Sequence, residues 1–499
     1  MATGISSDQP GEMLSFSLLT HPPTQLAPRL GRLCRVGRKP ILTPSYVPIT
    51  SRGVLPHVTH DNIKEHMSIG SLYVALEDCM WQSSPRNNAY VPQTNVSARR
   101  SSLVIERTAL KGIPPIYNVP TENSESALRK FLSFDEDYLL FLGPRRIPPV
   151  ATASSNSSDS VTILTSVGYQ QLQVERYQEA IKNLQPDIAI GLADVLDRRP
   201  GVKRREKMVD RTHAWTQSAI DVLYKNTDPG SPLSGTSFFA PILPLERELQ
   251  TVYLRELAEE MKDNVAGFAM WDPSTIEIIP QPLWDLPRLS LGEPTTPQDV
   301  LRGVSLGLDL SAIAFIGEAS DAGLAFSFVL PQGNAQSDNN NSSPSPLAVD
   351  MLLPEHSADI SPLVSDCQCY TCKTYHRAYL RHLLNAKEML AWTLLQIHNH
   401  STMERFFAAI RASIENGTFE EDVKTFERTY APEFPQSSGQ GPRMRGYQFK
   451  TGPGEKRNPK VFGRLDAVAG KLLESQSSVV TPDAEAEELE ARGFAEKTQ

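Results

Sequence analysis

Three of the five cysteines in this chain of 499 residues lie in one short segment, as Cys367-x-Cys369-x-x-Cys372. Three neighbouring thiols cannot all pair in disulfides, and thiolates are preferred ligands of soft divalent metals. Zinc (Zn²⁺) takes four tetrahedral protein ligands in structural sites, whereas a catalytic zinc keeps one position for water. The cysteine spacing therefore predicts a structural zinc site, and the alternative is a group of reduced free thiols.

The fourth ligand is expected to be a histidine, but spacing alone does not choose it. His376 and His382 lie closer to the cysteines than His398 does. From Thr374 to Ile397 apolar residues recur at helical intervals, which predicts helix. With His398 as the ligand, the metal would join the far end of a helical hairpin to the cysteine turn. Closing that loop costs on the order of 3 kcal/mol, whereas structural zinc in small domains contributes roughly 10–16 kcal/mol.

The elements that must position this cluster are predicted to be repeated strand–helix units. Short apolar runs alternate with amphipathic helices, which favours a parallel sheet covered by helices. Periodicity does not separate an eight-stranded barrel from a doubly wound sheet. The predicted pairs are 161–165 with 170–184, 187–192 with 203–224, 238–243 with 246–262, and 286–291 with 297–304, and further strands are 265–270, 308–315 and 324–330.

Composition shifts divide the chain into five predicted regions. Short apolar runs between Pro and Gly turns predict a β-rich N-terminal region before the main domain. The polar segment 332–346 predicts a solvated insertion. The regions are a disordered lead (1–13), the β-rich region (14–150), the barrel core (151–350), the zinc-binding subdomain with the terminal helices (351–432), and a largely disordered charged tail (433–499).

Charge and cysteine content bound the partners and the compartment. Lys plus Arg total 49 against 58 Asp plus Glu, a net charge of −9, so any RNA contact must come from local patches. Candidate patches are Lys203-Arg204-Arg205 and a basic run with aromatics at 443–464, and the alternative is that both are ordinary solvated surface. The low cysteine count predicts a reducing compartment, which we take to be the cytoplasm. No apolar run approaches the length of a membrane span.

The zinc motif resembles a known family. The run CQCYTC, followed by RAYLRHLL and LLQIHN, is similar to the zinc subdomain of the tRNA-guanine transglycosylase family. The resemblance implies His398 as the fourth ligand, a (β/α)8 TIM-type barrel in the α/β class with an inserted zinc subdomain, and tRNA as a partner. In that family a carboxylate attacks the ribose of the wobble guanosine, guanine leaves, and queuine or a precursor replaces it.

The positions that match the family's catalytic motifs do not carry the catalytic side chains. The nucleophile motif Gly-x-Asp-x-Phe-Asp matches residues 307–312, which places Ala312 at the nucleophile. A methyl group cannot attack an anomeric carbon. Four further motifs of the family have counterparts here. The loop that supplies a second carboxylate matches at Thr165, and the strand end that holds the purine matches Leu192-Ala193-Asp194. The Gln-Gly-Gly loop matches Ile242-Leu243-Pro244-Leu245, and the Gly-Gly floor of the substrate site matches Trp271-Asp272. The resemblance therefore implies a chain with no catalytic residues.

The segment 53–62 resembles a non-catalytic branch of the same family. Members of that branch pair with a catalytic homologue in a heterodimer, and they are cytoplasmic, some at the mitochondrial outer membrane. Two alternatives stay open at the sequence level. One is an active transglycosylase in which another carboxylate substitutes, and the other is a zinc-stabilised RNA-binding protein without such a partner. The candidate substitutes are Asp194, Asp309, Glu318 and Asp321.

Overall fold

The computed structural model describes residues 14–20, 24–80, 115–121, 125–150, 156–165, 168–196, 200–225, 235–331, 344–436 and 442. The predicted lead, the basic run at 443–464 and most of the polar insertion lie outside these residues.

A small antiparallel sheet precedes the barrel. Its strands are β1 (Ser15–Leu18), β2 (Gly31–Cys34) and β3 (Ile41–Thr43), in the order β1-β2-β3. Gly31 is required there, because a Cβ at this position would lie 2.5 Å from the Phe16 ring. Leu33 and Ile41 of this sheet pack into the same cluster as the barrel interior. The predicted β-rich N-terminal layer is therefore present, and it packs against the barrel.

The main body is an eight-stranded parallel barrel. Each strand pairs with the next one along the chain, and a bridge between Ile49 and Tyr73 joins the first strand to the second. The last strand pairs with the first, which closes the circle. The strands are β4 (Ser45–Pro48), β5 (Ser71–Ala75), β6 (Leu139–Gly143), β9 (Ile188–Ile190), β10 (Ser237–Ile242), β11 (Gly267–Met270), β12 (Arg288–Ser290) and β13 (Leu310–Ile313).

Large apolar side chains fill the barrel interior. Every strand sends alternate residues inward, as expected for a strand with a two-residue side-chain period. The opposite faces pack on the surrounding helices, so the strands are buried on both sides. The inward residues include Val47, Tyr73, Phe141, Ile190, Phe239, Ala269, Leu289, Leu310 and Ala312.

Helices cover the barrel and carry the cysteine cluster. The helix α7 (Pro297–Ser305) shows how local sequence sets the start of an element. Thr296 and Asp299 form a capping box, and Pro297 stands in the first turn of the helix. The helices around the barrel are α1 (His60–His66), α2 (Leu76–Cys79), α3 (Ala127–Leu132), α4 (Val174–Leu184), α5 (Val202–Ile220), α6 (Arg247–Glu259), α7 (Pro297–Ser305) and α8 (Phe315–Asp321). Those of the C-terminal part are α9 (Tyr370–Thr374), α10 (Arg377–Asn385), α11 (Met389–Asn416) and α12 (Phe419–Thr429).

Short turns and two strand pairs complete the described fold. Strand β7 (Ser160–Thr165) pairs with β8 (Gly168–Gln173), and β14 (Leu324–Phe326) pairs with β15 (Ala348–Asp350); both pairs are antiparallel and lie outside the barrel. The 3₁₀ turns are Pro115–Asn118, Lys262–Asn264, Pro273–Ile278, Gln281–Leu283 and Pro354–Ala358, and a π turn spans Asp221–Lys225.

Three predictions about the barrel were wrong. The barrel does not begin at residue 151, because β4, β5 and β6 already belong to it. The run 161–165 is not a barrel strand, since it forms a hairpin with β8, and only Leu324–Phe326 of the run 324–330 is strand. An apolar run shows that a strand is buried, but it does not show which strand it pairs with. The class itself, a TIM-type α/β barrel, is confirmed.

Within the described residues no helix combines the length and the apolar character that crossing a membrane requires.

Candidate metal centre

The cysteine segment and helix α11 bring four candidate ligands together. One ligand atom from each of Cys367, Cys369, Cys372 and His398 lies within 4.8 Å of all the others. The three sulfurs are 3.7, 3.5 and 3.4 Å from His398 Nδ1. A tetrahedral zinc with the usual bond lengths places sulfur and nitrogen ligands about 3.5 Å apart. The geometry therefore fits a closed four-ligand metal site.

Local structure holds the cysteines in place. Cys369 caps the N-terminus of α9, where its sulfur accepts a hydrogen bond from the backbone N–H of Cys372 at 3.4 Å. Helix α9 is fixed to α11 because the Thr371 hydroxyl donates to the Leu394 carbonyl at 2.7 Å. The turn and the histidine are thus positioned by contacts that involve no metal.

The partner of the other ring nitrogen sets the tautomer of His398. Its Nε2 lies 2.9 Å from the Phe326 carbonyl, so Nε2 carries the proton and donates. The Nδ1 lone pair is then directed at the three sulfurs, as a metal-binding histidine requires. Arg405 adds a positive charge, because its Nη2 donates to the Cys367 sulfur at 3.5 Å.

Of the three thiols, Cys367 is the one whose surroundings favour the thiolate, whereas hydrogen bonds with Cys367 and Cys372 raise the pKa of Cys369. Hydrogen bonds from Cys369 and Cys372, helped by His398, hold the pKa of Cys367 well below its usual range. The thiolate is the form that binds metal. All four ligands are at most 8% exposed.

The two rival histidines serve other purposes. His376 caps α10, since its Nδ1 accepts from the Tyr379 backbone N–H at 3.3 Å, and His382 is exposed on the same helix. The sequence also predicted helix from Thr374 to Ile397. Instead, α10 ends at Asn385, and a second helix, α11, begins at Met389 and continues for 28 residues.

Sequence reasoning missed two residues that support the cluster. The Asn399 amide accepts from the Phe326 N–H and donates to Ser320 and to the Leu324 carbonyl, which ties α11 to β14. Arg405 stands seven residues after His398 on α11. Seven residues are two helical turns, so the shared face could have identified Arg405 from the sequence.

A row of aromatic rings runs from α1 along the helical subdomain that carries the cysteines. Consecutive ring centroids are 4.0 Å apart from His66 to Tyr370, 5.8 Å from there to Tyr375, 5.8 Å to Tyr379 and 6.4 Å to His382. Tyr379 is 37% exposed. From Cys367 to Lys387 the sequence contains four Lys or Arg and no Asp or Glu. We call these five rings the aromatic face.

The position of the family's nucleophile is apolar. Ala312 is fully buried on β13, and its cluster includes Trp271, Ile49 and Leu291. Asp309 of the same motif lies before the strand, where it pairs with Arg29 and accepts from the Arg288 N–H at 2.8 Å. That is the N-terminal end of the barrel, opposite the face where TIM-barrel enzymes place catalytic groups.

The other proposed substitute carboxylates are held in structural contacts. Asp194 is fully buried and accepts from Arg204 at 2.7 and 2.8 Å and from Arg211 at 3.0 Å. Asp321 lies 2.7 Å from His57. Burial, followed by the nearby Asp321, raises the pKa of Glu318.

The remaining motif positions are buried or half-buried apart from the exposed Asp272, and the basic run on α5 is largely neutralised. Leu192, Ile242 and Leu243 are at most 4% exposed, and the Thr165 hydroxyl donates within its own hairpin. In the run Lys203-Arg204-Arg205, Arg204 pairs with Asp194 and Arg205 pairs with Glu246 at 2.8 Å. This run is therefore no free RNA-binding patch.

Fold and site together define a closed parallel α/β barrel with an attached helical subdomain that can hold one metal ion through three cysteines and one histidine. The family model for queuine tRNA-ribosyltransferase matches residues 87–432. The chain belongs to this family, which is the tRNA-guanine transglycosylase family that the sequence motifs resembled.

Individual relatives agree with the family match. The chain is 35% identical to a queuine tRNA-ribosyltransferase accessory subunit 2 of Schizosaccharomyces pombe, over 83% of this chain and 84% of the relative. It is 24% identical to the protein of that name in Gallus gallus, over 80% of this chain and 94% of the relative. A queuine tRNA-ribosyltransferase of Nitratidesulfovibrio vulgaris is 30% identical over 50% of this chain and 63% of the relative.

Proposed function

We propose that this chain is a non-catalytic accessory subunit of a heterodimeric queuine tRNA-ribosyltransferase. It would hold and orient tRNA while a catalytic homologue exchanges the wobble guanine for queuine. The observation that carries the proposal is Ala312, a buried methyl group at the nucleophile position of the family motif. The names of its eukaryotic relatives support the same role.

Several losses together argue against turnover by this chain alone. A single general acid or base contributes about 10²–10⁴ in rate. Here the nucleophile position is a buried methyl group, and Asp194, Asp309 and Asp321 each contact a basic side chain. A rewired active site would need one of these carboxylates released from its partner, or would have to use Glu318, whose pKa is raised by burial.

We infer that zinc is the metal held by Cys367, Cys369, Cys372 and His398. The donor set suits zinc because three thiolates and an imidazole form its usual closed structural site. Bound there, zinc would supply no catalytic chemistry and would fix the α9 turn to α11. All five cysteines of the chain are free, which supports a reducing, cytoplasmic location.

The aromatic face is the part of the zinc subdomain best suited to contact the catalytic subunit. Tyrosine is enriched in protein interfaces because it combines a large apolar ring with a hydroxyl and loses little conformational entropy. The rings contact one another, so they are ordered before a partner arrives. The surrounding positive charge would favour a partner surface that carries carboxylates.

Mixing experiments test the proposal. The purified chain and a catalytic homologue, each alone and then combined, are examined by size-exclusion chromatography with light scattering. We expect a one-to-one complex that binds cognate tRNA more tightly than either chain does. No complex at micromolar concentration would contradict the accessory role and leave an RNA-binding protein acting alone.

A further inference from the structure

The metal centre inferred above needs a positive charge close to its sulfurs. Three thiolates and a neutral imidazole around a divalent ion leave one negative charge in excess. The three cysteines are at most 8% exposed and belong to one apolar cluster with Leu363, Leu380 and Leu394. Because an unbalanced charge among buried apolar side chains is costly, a cation beside the sulfurs would stabilise the loaded site.

Arg405 places a guanidinium beside one of these sulfurs. Its Nη2 donates to the Cys367 sulfur at 3.5 Å, and no other Lys or Arg side chain in the described part of the chain makes a hydrogen bond with a sulfur of the cluster. The arginine is half-buried, and none of the described Asp or Glu side chains forms an ion pair with it. The Cys367 sulfur is therefore the acidic group that this guanidinium contacts.

The basic side chains of the cysteine segment itself have other contacts or are exposed to solvent. Arg377 pairs with Asp359, and Arg381 donates to a backbone carbonyl at 2.9 Å. Lys373 and Lys387 are exposed, where water screens their charge. The counter-charge for the buried cluster therefore comes from α11, the helix that also carries the histidine ligand.

A short series of hydrogen bonds along α11 fixes the guanidinium relative to the histidine. The Thr402 hydroxyl donates to the His398 carbonyl at 3.1 Å, and Arg405 Nη2 donates to the Thr402 hydroxyl oxygen at 3.4 Å. Residues three and four apart lie on the same face of a helix, so these groups line up along α11. Arg405 Nε is buried without a partner among the described residues, so the contacts of Nη2 are the ones that hold the guanidinium at the sulfur.

We propose that Arg405 is a positioning residue of the metal centre, whose guanidinium balances the excess thiolate charge and thereby sets how tightly a divalent ion is held. This inference rests on the proposed zinc site and adds a residue outside the ligand set. An electrostatic effect depends on the charge of the ion and not on its preferred geometry. Zn²⁺ and Co²⁺ should therefore lose affinity by about the same factor when the positive charge is removed.

Competition between the full chain and a chelator measures the affinity for Zn²⁺ and, separately, for Co²⁺. Arg405→Gln keeps a hydrogen-bond donor without the charge, and Arg405→Lys keeps the charge. We expect Arg405→Gln to bind both ions roughly 10–100-fold more weakly, and Arg405→Lys to stay within about threefold of the unchanged chain. The absorption spectrum of the Co²⁺-loaded Arg405→Gln chain should match that of the unchanged chain, because all four ligands remain.

Arg411→Gln is the matched control, because Arg411 is a half-buried arginine of the same helix that donates to the Pro44 carbonyl, and it should leave both affinities unchanged. If Arg405→Gln does not fold, Arg405→Met removes the same charge. Equal affinities of the neutral variant and the unchanged chain would overturn this inference while the zinc site stands. An altered Co²⁺ spectrum, or the same loss in Arg405→Lys, would reduce Arg405 to a packing role and overturn it too. An unchanged chain that binds neither ion would overturn the zinc site and this inference with it.

Discussion

Each candidate metal ligand is already held by a neighbour in the protein. Cys369 caps α9, Cys367 receives a hydrogen bond from Arg405, and His398 is oriented by the Phe326 carbonyl. These hydrogen bonds fix the tautomer of the histidine and the direction of each candidate ligand. Metal binding then requires little rearrangement, and its free energy stabilises the turn that the cysteines form.

Replacing one sulfur should remove both the metal and the assembly. For Cys369→Ser we expect zinc to fall from one per chain to none by elemental analysis, with a lower melting temperature and loss of the heterodimer. Cys34→Ser, at a free cysteine outside the cluster, is the matched control and should change none of these. A zinc-free Cys369→Ser chain that still formed a complex of unchanged size would contradict the role of the subdomain in pairing.

Restoring the missing nucleophile alone should not restore activity. Ala312→Asp would place a carboxylate in a fully buried apolar cluster, which we expect to lower the free energy of unfolding by about 3 kcal/mol or more. The exposed Ala408→Asp on α11 should shift it by less than about 0.5 kcal/mol. Chemical denaturation and a base-exchange assay measure both effects. Base exchange by the Ala312→Asp chain alone would show that the other motif losses do not matter.

Helix α11 connects the metal cluster to the first barrel strand. It carries His398, and two later residues of the same helix contact the barrel around β4. His400 lies 3.1 Å from the Tyr46 hydroxyl, and Arg411 donates to the Pro44 carbonyl at 2.7 Å. One continuous helix therefore connects the cysteine cluster to the barrel wall.

The pH dependence of the free energy of unfolding should report the burial of Glu404 on this helix. Burial raises the pKa of Glu404 from 4.5 to about 7, against the opposing effects of the Ser68 N–H and Lys39. Between these values the folded chain keeps a proton that the unfolded chain has lost, so the free energy of unfolding falls as pH rises through the window. Glu404→Gln keeps the acceptor for Ser68 and removes the charge.

We therefore expect Glu404→Gln to be more stable than the unchanged chain at pH 8, by roughly 1 to 3 kcal/mol, and equal to it near pH 5. Denaturation of the zinc-loaded chain at both pH values measures the difference. Glu415→Gln, at an exposed position of the same helix, should not reproduce it. A Glu404→Gln chain whose stability follows that of the unchanged chain at every pH would show that this carboxylate is already ionised in the fold.

Local signals predicted the elements better than their pairing. The helical periods located α5, α6 and α7 to within a few residues, and cysteine spacing indicated three of the four candidate ligands that the fold brings together. The fourth candidate, His398, needed the family resemblance, because His376 and His382 are nearer in sequence and only the path of the chain separates them from the cysteines. The barrel strands before residue 151 were missed because short apolar runs with prolines resemble an antiparallel layer.

At the scale of the whole molecule, one segment differs in the sign of its charge from the rest of the chain. The chain carries a net charge of −9, yet the segment from Cys367 to Lys387 has only basic charges. The four rings of the aromatic face from Tyr370 to His382 lie on this segment. The charge of the segment is opposite in sign to the net charge of the whole chain. Such an arrangement gives a partner one preferred side on which to bind.

Truncating the centre of the aromatic face should weaken the heterodimer. For Tyr379→Ala we expect a dissociation constant at least tenfold higher, because a partly exposed ring that stacks on two neighbours is a typical interface anchor. The fold of the isolated chain should be unaffected. Tyr169→Ala, at an exposed tyrosine of the β7–β8 hairpin, is the control and should pair normally. Equal affinities for the two variants would place the interface elsewhere.

The most direct test of the central claim is incorporation of labelled queuine or guanine into cognate tRNA. The assay uses this chain alone, the catalytic homologue alone, and both together at equal concentration. We predict no incorporation by this chain alone and greater incorporation by the mixture than by the homologue. Incorporation by this chain alone would contradict the account. It would mean that a carboxylate elsewhere in the chain takes the place of the nucleophile missing at Ala312.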